Sequence, residues 1–251
     1  MAIWPIMAVF NPVSIIAFIC GAGASMGMLI ITTSKYESKF EDKSMFLSYA
    51  FGLGVGLLLG LGHVWIMTSY ISAMDKTNPL SVIIVGLIMA VLTTLVITVF
   101  TNRKAFFNTP AAKFIGLSVS LGLAGSLIFS KLFADMNYFY TDDLRNPNLY
   151  MKLTVYLFSA LFVHAAAGII QGEETSKGFM RIGILKSFGV LAPYYAALFI
   201  HYIYYDPFQQ WFFLFIMTLY GFGFFLYFYK RYIINEFVPT PKRRLRSRRR
   251  R

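Results

Sequence analysis

Residues 79–101 read PLSVIIVGLIMAVLTTLVITVFT, a stretch without one charged side chain. The hydrocarbon core of a bilayer, about 30 Å thick, takes roughly 20 apolar residues in an α-helix. A backbone facing lipid must satisfy its own hydrogen bonds, which leaves helices and closed barrels as the structures that span. This stretch therefore reads as a membrane-spanning helix. Six more runs of the same kind flank it, near 12–33, 46–72, 112–134, 151–171, 187–205 and 209–232. The expected fold is an all-α integral membrane bundle of about seven transmembrane helices. Composition agrees, since 57% of the 251 residues are hydrophobic and 14% charged, outside the usual range of a soluble domain.

The runs fill the chain so completely that residues 1–232 are expected to form a single polytopic transmembrane domain. Residues 233–251 are expected to be a basic cytoplasmic tail. Met1 to Phe10 carries no Lys or Arg and no cleavage pattern closes its apolar stretch, so the first run reads as a retained helix. Pro5 and the pair Asn11–Pro12 break its entry and suggest a short interfacial segment. Cys20, the only cysteine, excludes an intramolecular disulfide and reads as a small packing residue.

Charge sets the expected threading. Lys and Arg are held on the cytoplasmic side of a membrane protein. The stretch from Lys242 to Arg251 holds eight basic residues, and seven spans put the two termini on opposite sides. With the tail inside, 19 of the 23 Lys and Arg share its side. The other side keeps Lys76, Lys131, Arg145 and Lys152, beside Asp135, Asp142 and Asp143. The bias survives without the tail and the adjoining Lys230 and Arg231, at nine basic residues against four. The expectation is N-terminus outside and C-terminus inside.

Helix contacts in lipid rely on small residues, which let backbones approach. Gly52, Gly56 and Gly60 fall four apart in the second run, and Gly23 and Gly27 do so in the first. Gly116, Ser120 and Ala124 make a similar stripe in the fourth. Runs one, two and four are expected to meet along these stripes. A phosphate-cradling glycine loop would follow a strand, so mid-membrane glycines exclude it. The seventh run, from Trp211 to Tyr232, is aromatic on all sides, which suggests lipid or partner contact, with Trp211 and Tyr227–Tyr232 as interfacial belts. A pocket there for a flat ligand such as a quinone is a lesser reading, and no cofactor is assigned. Pro193 is expected to kink the sixth run.

Ionisable groups inside a membrane are costly and point to function. No Asp, Glu, Lys or Arg lies in the middle of a run. That absence argues against an ion-coupled transporter, an aspartyl protease dyad and a Schiff-base lysine. Three histidines remain. His63 and His201 fall at comparable depth in the outer halves of runs two and six and make a thin metal pair, two imidazoles lacking a carboxylate or thiolate. His164 lies toward the inner half of run five. The commoner role for each is a neutral ring bonded to a hydroxyl such as Ser69 or Tyr202. No metal site is assigned.

Gln171-Gly172-Glu173-Glu174-Thr175-Ser176-Lys177 is the sharpest local pattern. A desolvated Glu173 or Glu174, its pKa raised toward the working range of a general base, would suit a hydrolase assisted by His164 or His201. The ordinary reading is a solvated helix end with Glu173 and Lys177 paired four apart.

The stretch His164-Ala165-Ala166-Ala167-Gly168, the stripe Gly116/Ser120/Ala124, and the length and threading resemble the seven-span scaffold subunit of gamma-secretase, a relative of the glutamate-type intramembrane proteases. The resemblance covers runs four and five. Val82 to Phe100 lacks the acidic residue such a protein would carry, and His201 is offset from the expected sixth-span position. No family is assigned from it.

The expected function is that of a non-catalytic membrane protein, a scaffold or accessory subunit of a larger complex. An intramembrane hydrolase using Glu173 or Glu174 with His164 or His201, or a transporter of a neutral or hydrophobic solute, are the alternatives. Expected partners are the bilayer and membrane proteins, with anionic lipid or an acidic surface at Lys242–Arg251. Specific nucleic-acid binding is not expected, because the tail lacks interleaved aromatics. The expected location is the plasma membrane, or an internal membrane in a eukaryote.

Overall fold

Long apolar runs have no better partner for their backbone groups than themselves, and the chain forms helices accordingly. The computed structural model describes residues 12–34, 42–66, 79–136, 147–201 and 207–234. Among them there are no strands. The helices are α1 (Pro12–Phe18), α2 (Ala24–Thr33), α3 (Asp42–Trp65), α4 (Pro79–Thr101), α5 (Ala111–Ala134), α6 (Pro147–Ser176), α7 (Met180–His201) and α8 (Pro207–Phe228). A π-helical turn, Ile19–Gly23, joins α1 to α2, and another, Tyr229–Ile234, extends α8. With α1 and α2 taken as one span, seven segments are long and apolar enough to cross a membrane. The tail Lys242–Arg251 and Lys76, Asp142, Asp143 and Arg145 lie outside the described residues, as do the side chains of His201 and Trp211.

α5 is the axis of the bundle. In its most apolar 18-residue window 94% of the positions are buried, against 22% for the last span. α3 and the α1–α2 span pack on one side of α5 and α6 packs on another. α8 lies against α6, and α4 pairs with α7. The physical reason for the central place of α5 is its composition. It carries Gly116, Ser118, Ser120, Gly122, Ala124, Gly125 and Ser126, so helices can approach it from more than one direction.

The first, second and fourth runs do meet, but the residues at the seam differ in part from those expected. Gly52 and Gly56 lie against Val119, Gly122 and Leu123 of α5, and a Cβ on Gly56 would come within 2.9 Å of Leu123 Cα. Gly60 lies against Ser130. In the first span the contact residue is Gly21, pressed on Gly125 and Phe129. Gly23 would meet a side chain of its own helix only, and Gly27 faces open space. The face that meets Gly125 is made by Gly21 and Ser25, also four apart but two positions out of phase with Gly23 and Gly27. Likewise Gly116 and Ser120 point to α6, against Gly168 and Gly172, whereas Gly122 and Gly125 face α3 and the first span.

The π-turn also exposes carbonyls that side chains then satisfy. Ser25 Oγ donates to Gly21 O at 2.9 Å, and the Tyr49 hydroxyl, from α3, donates to Ala22 O at 2.7 Å. Ser25 and Tyr49 oxygens lie 2.8 Å apart. Ser126 Oγ reaches across from α5 to Leu53 O at 2.5 Å. Buried in the bundle, such bonds meet little competing water, which lets small hydroxyls hold helices together here.

Candidate functional site

Three places in the bundle gather its described histidines and buried ion pairs. The first is in the middle of α6. His164 Nδ1 lies 2.7 Å from Ala160 O and Nε2 lies 3.0 Å from Tyr195 Oη, which is itself 3.0 Å from Thr93 Oγ1. A carbonyl oxygen only accepts, so Nδ1 carries the proton and Nε2 accepts from the tyrosine. Thr93 then donates to Tyr195, and the hydrogen-bonded chain runs in one direction from α4 through α7 to α6. The His164 ring also meets Tyr194 and Tyr195 edge-on, at 5.9 and 5.8 Å between centroids. Both ring nitrogens are engaged, which leaves no lone pair for a metal in this arrangement.

The second place is the end of α6 with the start of α5 and α7. Glu173 forms ion pairs with Lys113 and with Lys177, each at 2.6 Å, and Glu174 accepts from Lys186 at 2.5 Å. The expected Glu173–Lys177 pair is present. The expectation that this helix end is solvated is corrected: Glu173 is 2% exposed and Glu174 5%. The cause is Gly172, which lets α5 come so close that its Ala112–Lys113 backbone would collide with any larger side chain. The neighbouring helix therefore covers the carboxylates. Bonding to Glu173 holds the Lys177 ammonium, at the solvent edge, above the ordinary lysine range.

The third place is near the opposite end of the bundle. Lys131 and Asp135 form a buried ion pair one helical turn apart, and the Lys131 ammonium lies 5.8 Å from the centre of the Tyr156 ring. His63 is buried and meets Phe199 edge-on at 5.0 Å.

These positions separate Glu173 from His164, one of the pairs that the hydrolase reading would combine; the His201 side chain lies outside the described residues. Glu173 follows His164 by nine residues on one helix, roughly 13 Å along the axis and about half a turn around it. Among the described residues no three His, Cys, Asp or Glu side chains gather as a metal site. Tyr195, Thr93 and Lys113 were not singled out in sequence, although each left a trace. Thr93 is a hydroxyl within an uncharged run, Tyr195 follows Pro193 by two positions, and Lys113 sits two residues inside a helix start.

Matched against protein-family models, curated proteins and solved structures, the chain finds no counterpart in any of the three.

Proposed function

We propose that this chain is a non-catalytic multi-pass membrane protein, N-terminus outside and C-terminus inside, acting as a scaffold or accessory subunit of a larger membrane complex. The observation that carries this reading is how the buried charges are used. Glu173 is taken by Lys113 and Lys177, Glu174 by Lys186, and Lys131 by Asp135. A catalytic carboxylate or a coupling site keeps capacity for its substrate, whereas ion pairs closed within the protein serve its architecture.

A broad apolar surface is left for neighbours. On α8, Phe212, Phe215, Leu219 and Phe222 are exposed, and large aromatic side chains are favoured where proteins meet. The threading rests on the excess of Lys and Arg on one side. The tail from Lys242 is proposed to hold to anionic lipid or an acidic protein surface.

Purification from native membrane in mild detergent, followed by mass spectrometry of what co-elutes, tests the reading. Protein partners in fixed ratio are expected. A lone 28.5 kDa species would sink it.

A second reading, intramembrane hydrolysis, draws on the dry Thr93–Tyr195–His164 chain. It requires His164→Ala to abolish a measurable activity while the protein stays folded. The scaffold reading requires the same variant to keep its partners.

A further inference from the structure

At the end of the bundle where α4 stops and α7 starts, a groove of about 550 Å³ opens between the 102–110 connection and the turn after α6. Its walls are locked together. The Asn108 N–H donates to Thr175 O at 3.3 Å, and Gly178, at φ 82°, brings its backbone against the Asn108 side chain. A side chain at Gly178 would strain that left-handed turn, so the groove is built into the chain rather than formed by chance proximity.

The lining has two characters. Phe107, Phe179 and Ile182 supply apolar surface, with Phe179 55% and Ile182 43% exposed. Asn102 and Arg181 supply polar heads beside it. Among the described residues neither Arg181, in the first turn of α7, nor Lys104, on the 102–110 connection, forms an ion pair, while the nearby carboxylates Glu173 and Glu174 are already neutralised by lysines. The local field is therefore positive. On the membrane reading the groove falls at headgroup depth, since its residues adjoin the ends of candidate spans at Thr101 and Met180.

We propose that this groove binds one anionic phospholipid, its phosphate on Arg181 and Asn102 and its acyl chains along Phe107, Phe179 and Ile182. Arginine suits the role because its planar fork matches phosphate, and its stem lies along apolar surface while the head reaches the interface. The inference rests on the membrane reading but not on the scaffold reading.

Native mass spectrometry of the full chain, in zwitterionic phosphatidylcholine micelles titrated with phosphatidylglycerol, tests it. Wild type is expected to retain one phosphatidylglycerol preferentially. Arg181→Gln is expected to weaken that retention about fivefold, the scale of one basic residue at an anionic surface. Arg231→Gln removes the same charge from the α8 extension, outside the groove lining, and is expected to leave it unchanged. Equal retention by Arg181→Gln and wild type would overturn the proposal, as would equal loss in both variants or no preference over phosphatidylcholine. Because Arg181 is exposed, an unchanged melting temperature is expected to accompany the loss. Recovery of the chain in carbonate-washed membranes checks insertion separately, so failure there is distinguishable from failure of the lipid site.

Discussion

The hydroxyl of Tyr220 donates to the carbonyl of Val190 at 3.0 Å and shares that donor with Gly189 O at 3.3 Å. Gly189 O is the carbonyl that Pro193, four residues on, leaves without its helical N–H. α7 runs through Pro193 as one helix because a side chain of α8 replaces the missing donor. A carbonyl left unsatisfied away from water costs about 1–3 kcal/mol, so the two helices are coupled by this proline. Tyr220→Phe is expected to lower stability by about 1–2 kcal/mol. In a Pro193→Ala background the same change is expected to cost less, because Gly189 O regains its own donor. A double-mutant cycle from unfolding in detergent measures the difference, and purely additive costs would refute the coupling.

Glycines of similar spacing are expected to differ sharply in tolerance. Gly116→Ala places a methyl against the Gly168 carbonyl, backbone on backbone, and should cost about 2 kcal/mol or more through separation of α5 from α6. Gly27→Ala meets nothing within 4 Å and should be neutral or stabilise by up to about 1 kcal/mol. Melting temperatures of the two variants give the comparison directly.

Lys113→Met alone should destabilise by about 3–5 kcal/mol, because it leaves the buried Glu173 to a single partner at the solvent edge. Adding Glu173→Leu should restore part of that loss, since no charge is then left buried. Lys177→Ala should cost no more than about 1 kcal/mol, its side chain being 47% exposed. If the three variants melt alike, the pair from α5 does not hold the α6 end.

Alkaline pH offers a finer check on the same group. The Lys177 pKa is raised above 10.5 by bonding to Glu173. Its contribution is therefore complete below the unfolded value of 10.5 and fades as pH rises through the folded one. The stability difference between wild type and Lys177→Met should be flat from about pH 7 to about pH 10 and shrink above that. A difference that already declines near neutrality would contradict the pairing.

Tyr195→Phe removes the donor to His164 Nε2 and the acceptor for Thr93, and should cost about 1–3 kcal/mol. His164→Phe should cost a similar amount and leave bound zinc unchanged at none, measured by elemental analysis. A stoichiometric metal lost in this variant would contradict the hydrogen-bonded assignment of both ring nitrogens.

What the amino-acid order determined by itself is the part written in local composition. The charge-free run 79–101 and its six companions are long enough to satisfy their backbones as helices, and all seven are helical. The Glu173–Lys177 pair was equally legible, because positions four apart on a helix are neighbours wherever the helix sits. Tertiary structure decided the rest. Which small residues touch depended on which face of the first span turns to α5: Gly21 and Ser25 meet Gly125, whereas Gly23 and Gly27, spaced alike, do not. That Glu173 is buried depended on α5 closing over Gly172, and its second lysine comes from sixty positions earlier in the chain. The His164 chain joins three helices through Thr93 and Tyr195, residues that carry no charge and no spacing motif. Local pattern reports what one helix prefers, and these contacts exist only once seven helices have chosen their neighbours.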